Sequence, residues 1–246
     1  MNVIEIKDLT HRFSSGEVGL DRIDLRVQAG EFVVVCGPNG SGKTTLLRHL
    51  NGLLMPESGS VHISGLDVSE NAAKVRQLVG MVFQDADSQI IGETVFDDVA
   101  FGPENLLLSR DEIHGRVTQA LSAVGLGHLT DQRPYLLSAG EKRRLAIAGV
   151  LAMIPRVIVF DEPFSNLDYP GMQQVLSQIL SLHKTGHTIL VATHDLPKVY
   201  AYADRILLMR DGRIVRDGEP EQLLSEVGAF GVEKPCACRM ASGAGP

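Results

Sequence analysis

The chain lacks the features that mark several large classes of protein. Its 246 residues hold three cysteines, which gives no disulfide framework. Cys36 falls in an apolar run and reads as inert packing. Cys236 and Cys238 lie in Lys234-Pro235-Cys236-Ala237-Cys238-Arg239 and read as free tail thiols, because two thiolates make only half a tetrahedral metal site. No apolar run approaches the roughly 20 residues needed to span a bilayer. Nor does the N-terminus resemble a signal peptide: Met1 to Asp8 alternates apolar and polar residues like an edge strand. Basic charge is not in excess. Lys and Arg total 23 against 30 Asp and Glu, for a formal net charge of −7, so nucleic acid is not expected as a partner. There is no long internal repeat and no low-complexity block. What remains is a soluble, cytoplasmic chain, 44% hydrophobic, able to bury the core of one large domain or of a domain with an inserted lobe.

Against these absences stands one informative stretch, Gly37-Pro38-Asn39-Gly40-Ser41-Gly42-Lys43-Thr44-Thr45. It follows the apolar run Phe32 to Cys36 and precedes the helix-like run Leu46 to Leu50. Strand, glycine loop and helix are the context that turns this spacing into a phosphate-binding loop. Successive backbone N–H groups in such a loop form an anion nest, and the helix after it adds the positive end of its dipole. Glycines permit the torsions and the close phosphate approach. Lys43 supplies a cation near the β- and γ-phosphates, the Thr44 hydroxyl is placed to ligate Mg²⁺, and Thr45 can donate to a phosphate oxygen. The expected ligand is a nucleoside triphosphate with magnesium.

The rest of the pattern is α/β. Short strands are expected at Val3–Ile6, Leu9–Phe13 and Ile23–Val27, then around 59–65 and at Val79–Phe83, stopping at Gln84. From about Asp85 to Ile154 the pattern turns helical, with 3.6-period apolar faces over 111–124 and 139–153. Val157 to Phe160 and Thr188 to Ala192 are continuous apolar runs, as parallel strands covered on both faces require. A hairpin follows over 206–215, and the last ~15 residues read as a loose tail. The site is expected at the C-terminal ends of the parallel strands. Asp161 and Glu162 end one of these strands. Asp161 can hold Mg²⁺ beside Thr44, and Glu162 is the candidate general base for the water that attacks the γ-phosphorus. Leu137-Ser138-Ala139-Gly140-Glu141 opens a helix: Ser138 is either a simple N-cap or part of a second phosphate site.

Taken together and in order, these elements resemble an ATP-binding-cassette ATPase over nearly the whole chain. The carriers are the phosphate loop 37–45, Gln84, Leu137–Glu141, Asp161-Glu162, Ser165-Asn166-Leu167-Asp168 and His194. The resemblance implies an α/β fold: a P-loop NTPase core of RecA-like type, with an N-terminal antiparallel β-subdomain and an inserted α-helical subdomain. Its implied limits are 1–84 with 155–228 for the core, 85–154 for the helical unit and 229–246 for a flexible tail. It also implies a head-to-tail dimer, with the same chain or a related ATPase, that sandwiches two ATP molecules. Each would meet the phosphate loop of one subunit and Ser138 and Gly140 of the other. Phe13 would stack on adenine; its other reading is a core aromatic. Gln84 would sense Mg²⁺ and the attacking water, His194 would bond the γ-phosphate, and Asp168 would face the other protomer. The usual signature has Gly where Ala139 stands and Gln where Glu141 stands.

Phe83 to Asn105 resembles the ATPases of energy-coupling-factor importers, especially the cobalt and nickel type, with Gln89 and Val99-Ala100-Phe101-Gly102-Pro103 as carriers. The resemblance implies integral-membrane subunits docking near Gln84–Phe101, a place at the cytoplasmic side of the cell membrane, and import of cobalt, nickel or a vitamin. The ATPase of another ABC transporter, soluble relatives of similar fold in iron–sulfur cluster assembly or DNA repair, and a regulatory module that binds ATP without turnover are the competing readings.

Overall fold

The computed structural model describes residues 1–235, so Cys236 and Cys238 lie outside the described residues. The chain runs β1 (Asn2–Arg12), β2 (Val18–Gln28), β3 (Phe32–Cys36), α1 (Lys43–Leu50), β4 (Ser58–Ile63), β5 (Leu66–Asp67), α2 (Val68–Leu78), β6 (Val79–Val82), α3 (Val95–Asn105), α4 (Arg110–Ala123), α5 (Ala139–Leu151), β7 (Val157–Asp161), α6 (Tyr169–Lys184), β8 (Thr188–Thr193), β9 (Arg205–Arg210), β10 (Arg213–Gly218) and α7 (Pro220–Leu223). An antiparallel sheet has the order β2-β1-β4-β5. A second sheet has the order β10-β9-β3-β8-β7-β6; its strands are parallel except β10, which pairs antiparallel with β9.

The second sheet divides the apolar residues into two cores. Period-two alternation sends Val33 and Val35 of β3 to one side and Phe32, Val34 and Cys36 to the other. Strands β7, β8 and β9 alternate in the same way, which is why Val157 to Phe160, Ile189 to Ala192 and Ile206 to Met209 are continuous apolar runs. One side is covered by the antiparallel sheet with α1 and α2, the other by α3 to α6. Each fully buried Val, Ile, Leu or Phe stabilises this arrangement by about 1.5–3 kcal/mol relative to exposure. Cys36 is buried as expected, and loss of solvation pushes its thiol up to about 12, so it stays protonated and inert.

Three expectations need correction. Val3–Ile6 and Leu9–Phe13 are one strand, not two. The register shifts between Ile6 and Leu9, where Asp8 has φ of 49°, so a bulge lets the strand continue past a polar pair. That strand ends at Arg12, leaving Phe13 outside it. Between Val82 and Val95 the chain is not helical. The Gln89 side chain instead extends the edge of β6: its Oε1 accepts from the Phe83 N–H at 3.0 Å and its Nε2 donates to the Met81 carbonyl at 3.1 Å. The expected tail from 229 also begins too early, because Val232 is only 3% exposed and belongs to the larger core.

Candidate functional site

The phosphate-type loop joins the end of β3 to the start of α1, at the C-terminal edge of the parallel strands. Close approach fixes two of its glycines. A Cβ on Gly37 would lie 2.2 Å from the Met209 carbonyl oxygen. Gly42 has φ of 101°, and its Cβ would lie 2.8 Å from the Gly19 carbonyl oxygen. Gly42 is also the residue before α1, which therefore starts with no side-chain cap and no acidic residue in its first turn. Its first-turn amides keep their donors for an anion. Ser41 Oγ, buried in the same loop, has no hydrogen-bond partner among the described residues. Lys43 is 6% exposed and points back into the loop, donating to the carbonyls of Gly37 at 2.8 Å and Pro38 at 3.1 Å. Its ammonium stands 4.0 Å from Glu162 Oε1. Burial lowers the Lys43 pKa, opposed by the nearby Glu162 and Asp161 charges. The loop is a positive cradle without an anion of its own.

Two carboxylates close the other side. The Thr44 hydroxyl lies 2.8 Å from Asp161 Oδ2 and 3.0 Å from Oδ1. Burial raises the Asp161 pKa and the adjacent Glu162 adds to this, while the Thr44 hydroxyl, Arg48 and Lys43 oppose it. Glu162 is 8% exposed, with φ of 46°, a left-handed torsion that a non-glycine residue keeps only where its surroundings hold it. Its backbone N–H bonds the Ala192 carbonyl at 2.9 Å. Oε1 takes the His194 backbone N–H and faces His194 Nδ1, both at 2.9 Å, and Oε2 accepts from the Thr193 hydroxyl at 3.1 Å. Ends of β7 and β8 are thus laced together through one carboxylate.

A cavity of 380 Å³ lies over this arrangement, lined by Phe13, Glu17 to Gly19, Asn39 to Thr45, Gln84, Glu162 and His194. Phe13 is 40% exposed and not in the core; its ring meets His11 edge-on, centroids 5.0 Å apart. Six expected residues are not in that lining: Gly37, Pro38 and Asp161, which bond Lys43 and Thr44 of the lining, and Ser138, Gly140 and Asp168. Ser138 caps α5, Gly140 packs 3.6 Å from the Gly171 Cα as measured from its would-be Cβ, and Asp168 caps α6 by accepting from the Gly171 N–H at 2.9 Å.

The residues present fit a nucleoside triphosphate with Mg²⁺. Among the described residues no group of three or more His, Cys, Asp or Glu side chains is placed to hold a metal ion. Mg²⁺ is ordinarily held by one or two protein oxygens together with phosphate and water. Thr44 and Asp161 provide such a pair.

Sequence reasoning missed two supports of this site. Thr193 fixes Glu162 Oε2 while its own oxygen accepts from the Asp195 N–H at 3.0 Å. Arg143, on α5 and 4% exposed, donates to the carbonyls of Phe83 and Gln84 and has no carboxylate partner among the described residues. Lys142 beside it pairs with Asp87. The available signal was an arginine on the otherwise apolar buried face of α5. Arg143→Met should leave two carbonyls without donors, at about 1–3 kcal/mol each. A lower urea midpoint with reduced ATP turnover is the expected outcome, and an unchanged midpoint would count against the clamp.

A glycine loop with an uncapped helix, a hydroxyl–aspartate pair and a braced glutamate define a P-loop nucleoside triphosphatase. The chain belongs to the ABC transporter family, whose family model matches residues 20–165. It is 44% identical over 230 residues to the energy-coupling factor transporter ATP-binding protein of Methanocaldococcus jannaschii, covering 92% of this chain and 82% of that one. It is also 44% identical over 233 residues to such a protein of Clostridium novyi, covering 92% and 83%. Among solved structures it is similar to cbiO1 from Clostridium perfringens, described as part of the ABC transporter complex cbiONQ, with a TM-score of 0.84, 36% identity, and 93% and 92% coverage. A dimeric bacterial ABC transporter cassette superposes with a TM-score of 0.78 at 28% identity, covering 88% of this chain and 98% of the other.

Proposed function

We propose that this chain is the ATP-hydrolysing subunit of an energy-coupling-factor importer, acting as a head-to-tail pair with a second copy or a related ATPase. The observation that carries the reading is the convergence of Lys43, Thr44, Glu162 and His194 on one cavity, with Asp161 bonded to the Thr44 hydroxyl beside it. In this reading the 37–45 loop binds the triphosphate, and Phe13 stacks on adenine. Glu162 orients and deprotonates the attacking water, His194 bonds the γ-phosphate, and Gln84 senses Mg²⁺ and the attacking water. Mg²⁺, held by Thr44 and Asp161, neutralises charge on the β- and γ-phosphates when bound. Ser138 and Gly140 complete the partner's site, and Asp168 lies beside the seam. The relatives named as energy-coupling factor subunits support the transporter class.

The 85–154 segment is read as the unit that meets the membrane subunits. A groove of 360 Å³ runs between α3, α5 and the end of β6, lined by Leu53, Phe83, Ile91, Phe101, Gly102 and Met153 among others. Its shape and apolar lining suit an amphipathic helix from an integral-membrane partner. Among the described residues no helix is long and apolar enough to cross a membrane, which accords with a peripheral subunit at the cytoplasmic face. The cargo is proposed to be a cobalt or nickel cation, or a vitamin, on the resemblance of Phe83 to Asn105. Affinity-tagged chain drawn from detergent-solubilised membranes should bring integral-membrane subunits with it. Recovery as a lone protein, with turnover unaffected by those subunits, would overturn the reading.

A further inference from the structure

The start of α5 carries a negative group on the donors that the proposed cycle needs free. Glu141 Oε2 accepts from the Ser138 hydroxyl at 2.7 Å and from the Ser138 backbone N–H at 2.8 Å, while the Glu141 N–H returns a bond to Ser138 Oγ at 3.3 Å. The same closed arrangement starts α3 with Thr94 and Asp97, and α4 with Ser109 and Glu112. As a helix start it is ordinary. At Ser138 it has a consequence the other two lack, because Ser138 is the residue assigned to the phosphates of the neighbouring subunit's ATP; the inference rests on that reading.

A serine hydroxyl has one proton. Here that proton is committed to Glu141, so it cannot also be donated to a phosphate oxygen. The same carboxylate sits on the positive end of α5, where an incoming phosphate would gain most. Hydrogen bonds from Ser138, with the charges of Arg144 and His128 nearby, hold the Glu141 pKa below the usual carboxylate range. Lys142, the cation next in sequence, is turned away to Asp87.

We propose that the Glu141 carboxylate is an internal occupant of the α5 phosphate position, which the neighbouring subunit's ATP must displace, so that residue 141 sets the ATP concentration at which two copies close. Removing the charge while keeping an acceptor oxygen should make closure easier. Restoring negative charge should make it harder, whatever the helix stability does.

The test compares Glu162→Gln with Glu162→Gln/Glu141→Gln, using sedimentation velocity to follow pairing as MgATP is titrated. Circular dichroism melts of both report helix stability separately. The double variant should pair at about tenfold lower ATP, equivalent to about 1.4 kcal/mol, with little change in melting. Glu141→Ala in the same background should melt lower, having lost the cap, yet still pair at lower ATP than Glu162→Gln. That opposition of stability and closure is something a purely structural cap would not produce. If both double variants need the same or more ATP than Glu162→Gln, the role of Glu141 is overturned while the paired-subunit reading stands. If no variant pairs at any ATP concentration, the paired-subunit reading fails and the inference with it.

Discussion

Glu162→Gln should lower ATP turnover by roughly 10²–10⁴-fold, the usual contribution of a positioned general base, without unfolding the chain. The fold should survive because the site can accept the amide. His194 contributes a backbone N–H that can only donate, so the glutamine oxygen must take the Oε1 position. The NH₂ group then faces Thr193 Oγ1, which has two lone pairs and already accepts from the Asp195 N–H. Only the Thr193 proton loses its acceptor. The 4.0 Å ion pair with Lys43 is also lost, leaving the ammonium on its two loop carbonyls. Nucleotide binding should persist, since neither the loop amides nor Thr44 is altered, and an ATP-bound pair should accumulate. Phosphate release under saturating MgATP measures the first effect, and sedimentation measures the second. Turnover equal to that of the unsubstituted chain would remove Glu162 from the role of base.

Contiguity explains which parts of this architecture were legible beforehand. The phosphate loop is nine consecutive residues between a strand and a helix, so its chemistry is written in one place. Val157 to Phe160 declares a strand covered on both faces because each position must be apolar, and the structure sends alternate residues to the two cores. The α5 boundary was visible in Ser138 three residues before Glu141. Supports contributed from far along the chain were not visible. Arg143 reaches carbonyls 59 and 60 positions away, and Lys142 an aspartate 55 positions away. Backbone carbonyls carry no sequence identity, so nothing at Phe83 or Gln84 announces a buried guanidinium. The bulge at Asp8 broke the alternation of β1 and made one strand read as two.

Lys43→Ala should weaken MgATP binding by roughly 10–150-fold, the equivalent of the about 1.5–3 kcal/mol that a hydrogen bond to a charged group contributes. The lysine is poised rather than satisfied. Burial disfavours its charged form, and among the described residues its hydrogen-bond acceptors are two neutral carbonyls at the loop's start. A phosphate arriving in the cradle brings the counter-charge that Glu162, 4.0 Å away, supplies weakly. The same imbalance fixes a pH dependence. A base whose pKa is lower in the folded chain than in the unfolded one destabilises the fold while it is protonated. Above the native pKa and up to the unfolded value near 10.4, the unfolded chain binds more protons, so stability rises with pH. The unsubstituted chain should therefore gain stability relative to Lys43→Ala as pH climbs through that alkaline window, read from urea midpoints without nucleotide. With MgATP present the order reverses: the lysine-bearing chain should be protected more strongly, because only it gains the charge-assisted phosphate contact. Tight MgATP binding with normal turnover in Lys43→Ala would show that the loop amides alone hold the phosphates.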